Sequence, residues 1–156
     1  MTNPWNLPWQ GGCRCDRVRF QVNGAPILTS ACHCTGCQRM TGGPYSLSIA
    51  VPAERFEVIE GKPVLGGLQS SELRHFHCPF CKSWLYTQPA ALEFMVNIRV
   101  SALDTRLWVV PFVETWTREK FPWVSTPAEY SFESLPELEA WEGIMKDFSL
   151  RGTRPS

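Results

Sequence analysis

Apolar and polar residues alternate through Arg17-Val18-Arg19-Phe20-Gln21-Val22, the two-residue period of a half-buried strand. Tyr45 to Val51 and Arg55 to Ile59 also read as strands, and Glu72 to His77 alternates well enough to pair with Ser83 to Thr87. Leu92 to Val100 and Leu107 to Val113 are apolar and rich in branched side chains, which predicts two more strands. Asn23-Gly24, Gly42-Gly43-Pro44, Gly61-Lys62-Pro63 and Gly66-Gly67 supply turns between these runs. Helical spacing occurs in one place, where Leu138, Trp141, Ile144, Met145 and Phe148 recur behind Ser134 as a candidate cap and Pro136 near the first turn. Those apolar residues form a docking face. The tail from Arg151 to Ser156 is expected to be loose. The pattern predicts a mainly β fold of antiparallel sheets with a C-terminal helix, in one domain over residues 1–156.

Composition narrows the function classes. Lys+Arg and Asp+Glu both number 15, so nothing in the overall charge attracts nucleic acid or an anionic membrane. No apolar run reaches the length of a membrane span, and the first residues lack the basic and apolar segments of a secretory signal. The expected compartment is the cytoplasm, where disulfides rarely persist. Seven cysteines therefore call for another explanation, and an odd count would leave a disulfide framework with one thiol over.

The cysteines fall into three clusters: Cys13-Arg14-Cys15, Cys32-His33-Cys34-Thr35-Gly36-Cys37, and Cys78-Pro79-Phe80-Cys81. Residues i and i+2 on an extended chain share a face, so C-x-C offers two sulfurs to one point. C-x-x-C wraps a tight turn around a metal. Pairing the outer clusters gives Cys13, Cys15, Cys78 and Cys81, four thiolates for a closed structural zinc. Cys32, Cys34 and Cys37 then supply three sulfurs and leave the fourth tetrahedral position open, the arrangement of a catalytic zinc. An iron–sulfur cluster is disfavoured because the spacing matches neither common ferredoxin run. A thioredoxin-like pair at Cys78 and Cys81 would need a βαβ context that is missing. His33 and His77 flank ligands and point away from the metal by strand parity. His75 has the parity to approach the first site, which is already full.

In order and spacing, the seven cysteines resemble the glutathione-dependent formaldehyde-activating enzyme family, also called the CENP-V/GFA domain. The resemblance is carried by Gly11-Gly12-Cys13-Arg14-Cys15 with Val18 and Phe20, the central cluster with Gly42, and Phe76 with Cys78-Pro79-Phe80-Cys81. Fainter matches run from Ser101-Ala102-Leu103-Asp104 through Pro111 and Trp116 to Trp123, so it covers roughly residues 11–123. It implies a β-tent fold around zinc, with Cys13, Cys15, Cys78 and Cys81 holding a structural ion and Cys32, Cys34 and Cys37 a catalytic one. It implies a carbon–sulfur lyase that condenses formaldehyde with glutathione. Small-thiol and aldehyde partners follow, with neither nucleic acid nor membrane. The alternative is a zinc-stapled protein-binding or chaperone-like module without catalysis.

The chain departs from the family at Asp16 and Lys82, where glycines usually follow the cysteine pairs, and at Gln38, where Arg or Lys is common. Arg39, Arg55, Lys62, Arg74 and Arg99 are candidates for binding a substrate carboxylate, against the blander expectation of solvated surface charges. Of the seven tryptophans, most are expected in packing, and one or two could wall the open site.

Overall fold

The computed structural model describes residues 3–156. Eleven strands fall into two sheets, with one short and one long α-helix and four 3₁₀ turns among the described residues. The smaller sheet has β1 (Trp9–Gly12), β2 (Arg19–Val22) and β5 (Phe56–Glu60) in the order β1-β2-β5, all antiparallel. The larger sheet is ordered β11-β10-β3-β4-β9-β8-β7-β6. Its strands are β3 (Leu28–Cys32), β4 (Ser46–Pro52), β6 (Val64–Leu65), β7 (Leu73–His77), β8 (Trp84–Pro89), β9 (Met95–Arg99), β10 (Val113–Thr115) and β11 (Tyr130–Ser131). The pairing is antiparallel except at β10, which runs parallel to both β3 and β11.

Aromatic side chains join the two sheets. Phe20 meets Phe56 at 5.3 Å between ring centroids, Phe56 meets Tyr86 at 4.7 Å, and Phe76 stacks on Tyr86 at 4.8 Å. With Ile49, Leu85 and Ile98, all fully buried, they form the interior between the layers. Gly11 is needed here: a Cβ would run into the Ala102 carbonyl and the Phe20 ring, where β1 bridges Leu103. Among the described residues no helix is long and apolar enough to cross a membrane.

The long helix α2 (Leu138–Arg151) buries Ile144 and Phe148, and Phe148 packs against Trp5 and Phe112. Ser134 is not its cap. Glu137 precedes the first turn without a side-chain hydrogen bond, and Leu138 lies in solvent. The tail is not loose: Arg154 lies 3.8 Å over the Trp5 ring and donates to the Gly152 and Ser149 carbonyls. The strand expected over residues 107–113 begins only at Val113, because Leu107 to Phe112 form a loop that runs inward from Leu107, 94% exposed, to Phe112, buried in the core.

Candidate metal centres

Cys13 and Cys15 lie in the turn between β1 and β2, and Cys78 and Cys81 in the turn between β7 and β8. The four sulfurs come from both sheets and lie within 4.8 Å of one another. Cys13 and Cys15 Sγ are 3.5 Å apart and Cys15 and Cys78 Sγ 3.8 Å. These are no disulfides, whose sulfurs sit about 2.05 Å apart. They fit the edges of a tetrahedron about zinc, roughly 3.8 Å for Zn–S bonds near 2.3 Å. All seven cysteines are free thiols.

The two turns are built alike. Asp16 N–H donates to the Cys13 carbonyl and Lys82 N–H to the Cys78 carbonyl. Asp16 and Lys82 both have φ +63°, the left-handed region that favours glycine. The turns thus keep the geometry glycine would allow, at the cost of some backbone strain. Backbone donors point at the sulfurs: Val18 N–H reaches Cys13 Sγ at 3.3 Å and Cys81 N–H reaches Cys78 Sγ at 3.5 Å. Ser83 joins the turns, accepting from Arg14 N–H at 3.1 Å and lying 3.2 Å from Cys81 Sγ. Burial works against ionising Cys81, but hydrogen bonds from the Ser83 hydroxyl and backbone outweigh it and draw the thiol down to about 5.

The central cluster sits where a strand becomes a helix. Cys32 ends β3, Cys34 caps helix α1 (Thr35–Thr41), and Cys37 lies in its first turns. Cys34 Sγ accepts from Cys37 N–H at 3.3 Å, so one ligand caps the helix that carries another. The three sulfurs gather within 4.8 Å, and no fourth Cys, His, Asp or Glu joins them among the described residues. A hydrogen bond from Cys32 lowers the Cys37 thiol, while the same contact and burial raise Cys32. Both donor sets therefore fit a thiophilic ion such as zinc, one closed and one open.

Buried polar groups hold the central cluster in place. His33, fully buried, turns away from the sulfurs as strand parity predicts, and its Nε2 lies 2.9 Å from Glu114 Oε2 on β10. Glu114 also accepts from Thr126 Oγ1 at 2.8 Å and Ser131 Oγ at 3.0 Å. Burial opposes its charge, yet these donors hold its carboxyl below the usual range. Gln38 Nε2 donates to the His33 and Glu119 carbonyls, so the residue replacing a family cation pins α1 to its surroundings. Glu119 accepts from Thr35 N–H and Oγ1 at the start of the helix.

Of the five candidate anion binders, Arg39, Arg55 and Lys62 are exposed and Arg74 is half-buried, whereas Arg99 is only 5% exposed. Arg99 caps the Trp84 ring at 4.0 Å, and its Nη2 donates to the Asn97 carbonyl at 3.1 Å and Thr87 Oγ1 at 3.4 Å. Burial pushes the guanidinium down to about 10, against the favourable field of the Cys37 and Cys32 sulfurs, and it stays charged at neutral pH. A cleft of about 1020 Å³ opens alongside, bounded by Cys13 and Cys81, Met40 and Thr41 of α1, and Trp84 and Arg99. The three central sulfurs do not line it. Thr41 does, and its hydroxyl donates to the Cys37 carbonyl at 2.8 Å. His75 is not at the four-sulfur site; its Nδ1 lies 2.7 Å from Thr87 Oγ1, edge-on to Trp84.

Residues 8–119 match the family described as glutathione-dependent formaldehyde-activating enzyme, a span holding all seven cysteines, Arg99, Glu114 and Glu119. The chain belongs to that family. A crystal structure of a protein from Rhodobacter sphaeroides is similar to 62% of this chain and 88% of its own, at 18% identity and a TM-score of 0.49. No curated protein matches. Membership of the glutathione-dependent formaldehyde-activating enzymes suggests thiol and aldehyde chemistry. Sequence reasoning missed Glu114 and Glu119 as supports of the site. Glu114 has one sequence signal, a lone carboxylate at the end of the apolar run Val109 to Val113, and Glu119, behind Thr117 and Arg118, has none.

Proposed function

We propose that the protein is a zinc-dependent carbon–sulfur lyase that condenses a formaldehyde-like aldehyde with a small thiol such as glutathione. Cys13, Cys15, Cys78 and Cys81 would hold a structural zinc, and Cys32, Cys34 and Cys37 the catalytic one. The observation that carries this reading is the unequal pair of donor sets, one of four sulfurs and one of three with no fourth ligand among the described residues. When bound at the open set, zinc supplies a Lewis acid that lowers the pKa of whatever occupies the fourth position. The chain's own residues do the positioning. The Glu114–His33 contact and Gln38 fix the backbone on either side of Cys34, and helix α1 fixes Cys37. In the reaction a C–S bond forms, the carbonyl π bond breaks, and the thiol proton ends on the former aldehyde oxygen, with no change in oxidation state. Holding both reactants at one point raises their effective concentration. The reading treats residues 1–156 as one domain acting in the cytoplasm.

The test is metal analysis with activity. The native protein should hold about two zincs, and Cys34→Ser about one, with its fold retained and formaldehyde–glutathione condensation lost. Cys81→Ser should leave an insoluble or unfolded chain. Equal, tightly held ions in Cys34→Ser and wild type, with no condensation by either, would favour a zinc-stapled binding module instead.

A further inference from the structure

Within the proposed thiol–aldehyde chemistry, on which this inference rests, the geometry points to Arg99 as the residue that selects an acidic thiol by binding its carboxylate. Burying a charge is costly unless it is paired, and buried guanidinium groups are normally matched by a carboxylate. Arg99 makes no ion pair with any Asp or Glu among the described residues, and its Nε is buried without a hydrogen-bond partner. Its only hydrogen bonds there leave from Nη2, to a neutral carbonyl and a hydroxyl. The guanidinium thus sits over the Trp84 ring with donor capacity unspent.

Location gives that capacity a use. Arg99 borders the cleft and also lies within the field of the Cys37 and Cys32 sulfurs. A ligand whose sulfur reached the open metal position and whose carboxylate met Arg99 would lie between them. The cleft wall carries five cationic side chains, Arg14, Arg19, Lys82, Arg99 and Arg106, against Asp16 and Asp104, in a chain of zero formal charge. Arg19 is already paired with Asp104. Arg14, Lys82 and Arg106 are exposed, where a carboxylate contact is screened. Arg99 is the buried member of the set, and a hydrogen-bonded charge pair there should discriminate strongly. Glutathione, a peptide thiol with free carboxylates, fits this chemistry; a neutral thiol of the same reach does not.

The experiment compares zinc-loaded wild type with Arg99→Gln, titrating 3-mercaptopropionate, 2-mercaptoethanol and S-methylglutathione, which keeps the carboxylates and lacks a free thiol. Wild type should bind 3-mercaptopropionate about 10- to 100-fold more tightly than 2-mercaptoethanol, as expected for a charged hydrogen bond. In Arg99→Gln the two should converge to within about twofold, with 2-mercaptoethanol affinity and zinc content unchanged. A structural role alone would not move that ratio. If Arg99→Gln does not fold, Arg99→Lys keeps the charge without the fork, and its preference should fall several-fold. An unchanged preference in either variant, or loss of zinc from Arg99→Gln, overturns the assignment while the enzyme reading survives. Should wild type bind neither small thiol, the enzyme reading fails; S-methylglutathione binding that weakens in Arg99→Gln would then keep the carboxylate site standing, and indifference to the substitution would remove it too.

Discussion

Glu114 is the place where a single side chain should control both stability and the open metal site. Its carboxylate is almost fully buried and meets His33 Nε2, Thr126 Oγ1 and Ser131 Oγ, at 2.9, 2.8 and 3.0 Å. Glu114→Ala would leave these donors facing a small void. Each buried polar group that loses its partner costs about 1–3 kcal/mol. Because the three share one carboxylate and can relax together, we expect about 3–5 kcal/mol rather than the full sum. Glu114→Gln keeps the shape and one acceptor oxygen but loses the charge, and should cost about 1.5–3 kcal/mol. The damage should reach the metal. β10 runs beside β3 with Thr115 opposite Cys32, and His33 N–H donates to the Thr115 carbonyl at 3.0 Å. Losing the Glu114 anchor frees the His33 peptide that separates Cys32 from Cys34. The open set should then lose affinity for zinc by about 10- to 100-fold, the range seen when supports of metal ligands are removed. The four-sulfur set, across the sheet, should be unaffected. Urea denaturation of Glu114→Gln and competitive chelation of its two ions measure both effects. A midpoint equal to wild type, or equal loss of zinc from the two sets, would refute the reasoning.

Two further outcomes follow from other parts of the fold. Burial first, and then the positive charges of Arg99 and His77, hold His75 down to about 4, below its ordinary 6.5. The folded chain therefore keeps His75 neutral where the unfolded chain would protonate it. Stability from this residue is complete above about pH 6.5 and is lost as pH falls toward 4. Acid loss of zinc is common to wild type and His75→Gln, so the difference between their denaturant midpoints over that interval isolates the effect; parallel curves would remove it. At φ +63°, Lys82→Gly should stabilise the protein by about 0.5–1 kcal/mol, the relief of strain less the added freedom of the unfolded chain. A lower melting temperature would show that its ammonium contact with the Pro79 carbonyl at 2.7 Å outweighs the strain.

Much of both sheets could be read directly from the chain. β2, β7 and β9 lie within runs whose alternation or branched side chains mark them as strands, and β4, β5 and β8 overlap such runs and extend one or two residues past their ends. β3 escaped notice because Leu-Thr-Ser-Ala-Cys looks like a loop. Its Thr29 hydroxyl donates to the Val110 carbonyl and accepts from Phe112 N–H, pairings no local pattern announces. Helix α1 is seven residues long with a glycine near its start, and its cap is a cysteine sulfur, so propensity and periodicity both pass over it. The segment from Leu107 to Phe112 misled in the opposite direction, since half-buried branched residues serve a loop as well as a strand. The cysteine groupings were legible because sulfur chemistry demands convergence whatever the intervening structure. Arg99 was legible only as a name among five cations, because burial is decided by which strands become neighbours.

The four-sulfur cluster also fixes an order of events during synthesis. Half of its sulfurs belong to the hairpin at the start of the small sheet, and the other half to a hairpin of the large sheet more than sixty residues later. Until the second pair leaves the ribosome, the first has nothing to close on, and Phe20 lacks the Tyr86 side of its aromatic stack. If zinc fills that cluster as proposed, a cell starved of zinc would accumulate half-joined chains with exposed thiols and aromatic rings, prey for proteases. The amount of this protein should therefore track zinc supply, whatever becomes of its substrate.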